Sequence, residues 1–213
     1  MRPPESWSRA RGTLVIAAVT AVAWLLASVL GRSDWVVLWA GFIPARLTGA
    51  DVDALLAPVW ITPLTATLAH AGIAHLLMNL LMLLFCGRSV ENILGTRGLL
   101  ILYVVGGYAA AAAHYLTGPG ELAPMVGASG SISAVLGAYA LLFGRNRVKV
   151  RDPRLALILN AGWLAAAWII LQLLVGLTFE TAGARIAVAA HIGGFLAGLA
   201  LAKPLLVLRY RNA

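Results

Sequence analysis

Long uncharged stretches alternate with short charged segments along the whole chain. The stretches without Asp, Glu, Lys or Arg are Gly12–Gly31, Ala54–Gly87, Gly98–Gly120, Leu122–Gly144, Leu155–Phe179 and Ile186–Ala202. A helix needs roughly 20 apolar residues to cross a bilayer, so this pattern predicts six transmembrane helices. We predict spans at residues 12–31, 64–87, 98–117, 126–144, 155–178 and 186–208. The second begins near Leu64 because proline at 58 and 63 is incompatible with a helix interior.

The composition indicates an all-α membrane protein. Of the 213 residues, 61% are hydrophobic and only 11% are charged, which is unlike a soluble domain. We expect one six-helix membrane domain over residues 1–213 and no separate soluble domain. The first uncharged stretch follows basic residues, as in a signal peptide, but it is long for one and further spans follow. We therefore expect it to remain as an anchor.

Basic residues are distributed unevenly between the two sides of the predicted bundle. With the amino terminus inside, only Arg32, Arg46 and Arg185 fall in outer segments. The other 13 of the 16 basic residues are Arg2, Arg9, Arg11, Arg88, Arg97, Arg145, Arg147, Lys149, Arg151, Arg154, Lys203, Arg209 and Arg211. This excess on the inner side predicts that both termini are cytoplasmic. Topology and contact with lipid headgroups then explain the net charge of +8, and nucleic acid is not expected as a partner.

The segment between the first two spans, residues 32–63, is rich in tryptophan. It contains Trp35, Trp39 and Trp60, and tryptophan prefers the boundary between membrane and water. We predict a partly helical loop that lies in the outer interface. The single cysteine, Cys86, excludes an internal disulfide and a cysteine metal site, and no metal or other cofactor is expected.

Four polar residues fall at a similar depth within the predicted spans. His75 and Asn79 lie in the outer half of the second helix, Ser129 in the first turn of the fourth, and His191 about two turns into the sixth. At roughly 1.5 Å of rise per residue, each lies about 10 Å below the outer surface. Polar groups in a bilayer are costly, so their coincidence at one level indicates a functional site.

The chemical types of these residues suit acyl transfer. Ser129 lies at a helix amino terminus, where unpaired backbone amides and the helix dipole can stabilise an oxyanion. His191 is the candidate general base for the serine hydroxyl. His75 and Asn79 are four residues apart on one helix face, from which both can bind a developing oxyanion. Because no Asp or Glu lies at this depth, the predicted site is a Ser-His dyad.

Each of these features also has a purely structural interpretation. A cluster of small residues in a membrane helix is usually a packing face, and a lone histidine is commonly a hydrogen-bonded structural residue. The small residues are Gly130, Ser133 and Gly137 in the fourth helix, and Gly194 and Gly198 in the sixth. Close packing of these two faces would bring Ser129 and His191 together.

The motifs that carry these residues resemble those of the rhomboid family of intramembrane serine proteases. The motif HxxxN is present as His75 and Asn79, GxSG as Gly127, Ser129 and Gly130, and AHxxG as Ala190, His191 and Gly194. The resemblance runs from about Leu64 to Ala202. It includes the stretch GRSVENILG after the second helix, where it implies a structural role for Glu91.

The resemblance implies a six-helix rhomboid-like bundle with a short central fourth helix and a cavity that opens to the outside. It also implies an endopeptidase that cleaves transmembrane protein substrates near the outer membrane face. Ser129 would be the nucleophile and His191 the base. Gly127 and Gly130 would shape the pocket beside the oxyanion site.

Position 133 departs from the family pattern, which usually has an aromatic residue against the catalytic histidine. Ser133 is therefore our candidate for the residue that orients His191, as a hydrogen-bond acceptor for the second ring nitrogen.

The alternative functions are a small membrane transporter or channel, or an inactive rhomboid-like protein that binds membrane clients. Short loops and the lack of organelle targeting predict a multi-pass protein of a bacterial cytoplasmic membrane.

Overall fold

The computed structural model describes residues 6–52, 56–144, 150–181 and 187–211. Their α-helices are α1 (Arg11–Val29), α2 (Ser33–Ala40), α3 (Thr62–Thr65), α4 (Ile73–Met82), α5 (Arg88–Thr117), α6 (Ser129–Phe143), α7 (Pro153–Thr181) and α8 (Val188–Tyr210). Within the described ranges, the only strand-like pairing is an isolated bridge between Phe42 and Met125. Several basic residues of the predicted loops lie outside these ranges: Arg2, Arg145, Arg147, Lys149 and Arg185.

In the described part of the chain, four helical segments are long and apolar enough to cross a membrane: Arg11–Val29, Ile73–Thr117, Pro153–Thr178 and Val188–Tyr210. The second segment runs through α4, a π-helical turn at Leu83–Gly87 and α5, and it covers most of the second predicted span and all of the third. It bends at Gly95, where φ is 75° and ψ is 167°. The fold is thus a bundle of membrane helices.

Helix α6 is the short central element of this bundle. Its 15 residues rise only about 22 Å, whereas the hydrocarbon core of a bilayer is about 30 Å thick. Most of its residues from Gly130 to Ala138 are buried, and the helix packs against both α5 and α8. Helix α6 is thus a short apolar helix packed between longer ones, as the resemblance implied.

The second predicted span does not begin where the sequence indicated. We expected one helix from Leu64, but α3 ends at Thr65 and continues only as a 3-10 turn over Ala66–Leu68. Ala69 is extended (φ −90°, ψ 134°), and α4 starts after Gly72. The Ala66 carbonyl accepts a hydrogen bond from the Gly127 amide at 2.9 Å. In a continuous helix this carbonyl would instead accept from the amide four residues later.

Glycine residues allow α6 and α8 to approach backbone to backbone. A methyl group at Gly194 would overlap the Gly130 carbonyl, and one at Gly198 would overlap the Ala134 carbonyl. On the α6 side, a methyl group at Gly137 would overlap the Phe195 carbonyl. Packing of small residues is the usual basis of helix association in membranes. The contact that the small-residue faces predicted is therefore present.

A buried carboxylate joins the start of α1 to α5. The Glu91 side chain is 1% exposed and accepts hydrogen bonds from the Gly12 and Thr13 backbone amides, both at 2.8 Å. The hydroxyl groups of Thr13 and Thr96 donate to it as well, at 2.7 Å and 2.6 Å. The amides belong to the first turn of α1, where unpaired donors and the helix dipole favour a negative charge. Glu91 therefore has the structural role that the resemblance implied.

The tryptophan-rich segment forms hydrogen bonds with the connection that precedes α6. It is partly helical, as predicted, with α2 followed by a 3-10 turn at Pro44–Thr48. Phe42 and Met125 exchange backbone hydrogen bonds of 3.0 Å and 2.8 Å, and the Ala45 amide donates to the Glu121 carbonyl at 3.1 Å. These bonds position residues 121–127 and therefore the start of α6.

We predict that Gly198→Ala destabilises the fold, because the added methyl group would overlap the Ala134 carbonyl. Overpacking of this kind typically costs about 1–3 kcal/mol. The matched control is Gly162→Ala in α7, where no atom of the described residues lies within 4 Å of the added methyl group. In one detergent, Gly198→Ala should have a lower Tm than the wild type, and Gly162→Ala should not. Equal Tm values for the two variants would contradict the prediction.

Candidate active site

Ser129 is the first residue of α6, and a tight turn at Gly127 precedes it. Gly127 has φ +107°, a conformation that a residue with a Cβ rarely adopts. Its amide donates to the Ala66 carbonyl, and Ala128 then caps the helix, with its carbonyl accepting from the Ile132 amide at 2.9 Å. The Ser129 hydroxyl is therefore attached to the first turn of a helix, where backbone amides lack helical partners.

His191 lies in the first turn of α8, close to Ser129. The structure begins α8 at Val188, so His191 is nearer to the helix start than the predicted two turns. Its Nε2 is 2.8 Å from Ser129 Oγ, a hydrogen-bond distance. The two residues meet because the glycine contact between α6 and α8 brings the starts of these helices together.

The second ring nitrogen of His191 contacts Gln172 rather than Ser133. Gln172 lies on α7, and its Oε1 is 2.8 Å from His191 Nδ1. Ser133 is buried in the packing face of α6, near Gly194 of α8. The position that we assigned to Ser133 is thus taken by a residue from another helix. Sequence reasoning missed Gln172 because it considered ionisable groups first, although an amide within the uncharged run Leu155–Phe179 was already a signal.

His75 and Asn79 belong to α4, which faces the turn before Ser129. The His75 imidazole lies over Gly127, so closely that a side chain at Gly127 would overlap the ring. The buried His70 ring packs edge-on against His75, with a centroid distance of 5.0 Å. Asn79 is 5% exposed, and its Nδ2 donates to the His75 carbonyl at 2.8 Å. An amide group carries two N–H donors, so this bond does not exhaust its capacity.

Gly130 lies at the meeting point of three helices. A methyl group there would overlap Ala110 of α5, and the Ala190 carbonyl of α8 lies on the same side. The residue therefore lets α5, α6 and α8 converge just behind Ser129.

Among the described residues, no three His, Cys, Asp or Glu side chains lie close enough together to hold a metal ion.

The arrangement can activate a hydroxyl group. A serine oxygen in hydrogen-bond contact with an imidazole nitrogen can lose its proton to that nitrogen as it attacks a carbonyl carbon. The first turn of α6 has backbone amides without helical partners beside Ser129, and the His75 ring of α4 lies over Gly127, two residues earlier. Ser129 and His191 are each only partly buried.

Comparison with known proteins gives one consistent result. A family model of the rhomboid domain matches residues 57–208. Rhomboid protease GluP of Bacillus subtilis (strain 168) is 32% identical over 151 residues, which cover 70% of this chain and 27% of GluP. Rhomboid protease GlpG of Enterobacter sp. (strain 638) is 32% identical over 149 residues, or 65% of this chain and 46% of GlpG. The matched region of this chain thus spans less than half the length of these relatives.

We predict that Gly127→Ala lowers stability, because the added methyl group would overlap the His75 ring and the residue would keep a positive φ. Backbone strain of this kind costs about 1–3 kcal/mol. Gly120→Ala is the matched control, since Gly120 lies in the same connection and its added methyl group would have no atom of the described ranges within 4 Å. Thermal unfolding should show a lower Tm for Gly127→Ala alone. A Tm equal to that of Gly120→Ala would argue against the strained turn.

Proposed function

The chain belongs to the rhomboid family of membrane proteases, and from this premise we propose that it is an intramembrane serine endopeptidase that cleaves transmembrane protein substrates with a Ser129–His191 dyad. The observation that carries the proposal is the 2.8 Å distance from Ser129 Oγ to His191 Nε2 at the start of α6. The family match over residues 57–208 supports the reaction class independently of this geometry.

In the proposed reaction, His191 Nε2 takes the hydroxyl proton as Ser129 Oγ attacks the scissile carbonyl carbon. The imidazolium then gives that proton to the leaving amine, and the acyl-enzyme forms. In the second half, His191 Nε2 takes a proton from water as the water oxygen attacks the acyl carbon. The imidazolium then returns that proton to Ser129 Oγ as the bond between the acyl carbon and Oγ breaks, which releases the new carboxyl terminus of the substrate. Ser129 thus forms the covalent bond, and His191 moves the proton in both halves of the reaction.

The negative charge of each tetrahedral intermediate requires hydrogen-bond donors. We assign this role to the Ser129 backbone amide together with the side chains of His75 and Asn79. The amide lies at the positive end of the α6 dipole, which also favours a negative charge. Gly127 and Gly130 contribute by their lack of a side chain. Gly127 lets the His75 ring lie over the turn, and Gly130 lets three helices meet behind Ser129.

We further propose six spans in a single membrane domain, with both termini in the cytoplasm and the site near the outer face of a bacterial cytoplasmic membrane. The distribution of basic residues supports this orientation. The short α6 supports a buried site, because Ser129 then begins a helix that cannot cross the hydrocarbon core. Substrates would reach the dyad from the outer side of the bilayer.

We predict that Ser129→Ala abolishes cleavage of a model transmembrane substrate while leaving Tm close to that of the wild type. The loss of one hydroxyl group removes the nucleophile and little packing. Ser131→Ala is the matched control, since its buried hydroxyl lies on the same helix and has no hydrogen-bond partner among the described residues. A fluorophosphonate probe should label the wild type and Ser131→Ala at Ser129 and should not label Ser129→Ala.

The same probe separates the proposed function from its alternatives. A transporter or channel, or an inactive client-binding relative, has no activated serine and would remain unlabelled. Full proteolytic activity in Ser129→Ala would overturn the proposal. Probe reaction at a residue other than Ser129 would do the same.

We predict that Asn79→Ala lowers kcat more than it raises KM, because the amide would act on the oxyanion rather than on the bound substrate. Loss of one oxyanion donor typically costs about 10²–10³-fold in kcat, and we expect the lower end or less because two donors remain. Asn92→Ala is a suitable control. Like Asn79, Asn92 donates to the carbonyl four residues earlier, here that of Arg88 at 2.7 Å. It lies on α5, where it also donates to the Ser6 carbonyl. An effect of Asn79→Ala on KM alone would reassign Asn79 to substrate binding.

A further inference from the structure

We propose that Gln172 is a positioning residue that holds the His191 imidazole in the tautomer required of a general base. The proposal rests on the protease function proposed above. Gln172 Oε1 is 2.8 Å from His191 Nδ1, and Ser129 Oγ is 2.8 Å from His191 Nε2. The two nitrogens of one ring are thus held by side chains of two other helices, α7 and α6.

The chemistry of the amide oxygen decides which ring nitrogen carries the proton. An amide oxygen only accepts hydrogen bonds, so His191 Nδ1 must donate to Gln172 Oε1 and must carry the hydrogen of the neutral ring. The lone pair of Nε2 then points at the Ser129 hydroxyl and can accept its proton. With the amide oxygen facing the ring, as it does here, the opposite tautomer would direct a hydrogen at Ser129 and set two acceptors, Nδ1 and Oε1, against each other. Gln172 therefore favours the tautomer that the reaction needs.

The burial of Gln172 is consistent with a specific partner. The side chain is 6% exposed, and it lies within the uncharged run Leu155–Phe179. An amide in such apolar surroundings is costly unless its polar atoms are hydrogen-bonded. The contact with His191 satisfies its oxygen.

Neighbouring turns of α7 anchor Gln172 to the start of α8. One turn earlier, Trp168 Nε1 donates to the His191 carbonyl at 3.2 Å, and its ring stacks on Phe195 at a centroid distance of 4.8 Å. One turn later, Gly176 lies so close to Val188 that a methyl group would overlap it. Three successive turns of α7 thus contact α8, and Gln172 lies in the middle one. Its side chain is therefore presented to His191 from a fixed backbone position.

Gln172 orients the ring without exchanging a proton with it. When Ser129 attacks, its proton moves to Nε2, and the imidazolium keeps its Nδ1 hydrogen bonded to Gln172 Oε1. The amide oxygen is too weak a base to take that hydrogen. Gln172 contacts the ring nitrogen that faces away from Ser129, so in this role its effect should fall on the rate of the chemical step and not on substrate binding.

The test uses three variants of the full chain and one model transmembrane substrate. Gln172→Met removes the acceptor and keeps an unbranched side chain, and it should lower kcat about tenfold, the scale of one net hydrogen bond, with KM unchanged. Gln172→Glu keeps an acceptor oxygen and should retain clearly more activity than Gln172→Met. Asn160→Met is the matched control: Asn160 is the other buried amide among the described residues of α7, and kcat should stay at the wild-type value.

A second measurement reports the tautomer whether or not the protein cleaves a substrate. In protein labelled with nitrogen-15 histidine, the signals of the His191 ring are identified by their loss in His191→Gln. The wild type should show a protonated Nδ1 and an unprotonated Nε2. This preference should weaken in Gln172→Met and persist in Asn160→Met.

The outcomes separate this inference from the proposed function. If the wild type cleaves the substrate and Gln172→Met has the same kcat, the positioning role fails and the protease function stands. A wild-type ring with its proton on Nε2 would also overturn the positioning role. If the wild type neither cleaves nor reacts with a serine probe, the protease function fails, whereas an Nδ1 preference that depends on Gln172 would still support its hold on the ring.

Discussion

Close contact between the backbones of α6 and α8 is the constraint on which the candidate site depends. Ser129 and His191 are 62 residues apart in the sequence, and they meet because Gly194 and Gly198 let α8 lie directly on carbonyl groups of α6. A hydrogen bond between these groups tolerates separations of only about 2.7–3.2 Å. Moving α8 outward by the width of a methyl group would exceed that range. The glycines therefore determine the geometry of the site as much as the reactive groups do.

The apolar surroundings also dictate how polar side chains are held. Water is scarce inside a membrane bundle, so a buried polar group needs a partner from the protein. Glu91 accepts hydrogen bonds from the first turn of α1, and Gln172 accepts one from the His191 ring on α8. Each contact joins two different helices, α5 to α1 in the first case and α7 to α8 in the second. The same hydrogen bonds thus pair a buried polar group and fix the relative position of two helices.

Features that depend on local sequence could be predicted, and features that depend on distant contacts could not. Uncharged stretches indicate the long helices, and small residues in α6 and α8 mark the faces that meet. The break before α4 escaped prediction because it depends on the hydrogen bond between the Ala66 carbonyl and the Gly127 amide. Gln172 escaped for the same reason, since an amide in an apolar run does not reveal its partner until α7 is packed against α8.

A neutral amide beside His191 has an energetic consequence in the proposed mechanism. A carboxylate would stabilise the imidazolium, but it would have to be desolvated in the resting enzyme, which is costly in an apolar bundle. Gln172 avoids that penalty, and in return it contributes orientation and little charge stabilisation. The positive charge that forms on His191 is then balanced mainly by the oxyanion that forms beside Ser129 at the same moment. Charge separation is favourable only while the ring, the serine oxygen and the oxyanion donors stay in contact, so the chemistry itself requires the rigid contact between α6 and α8.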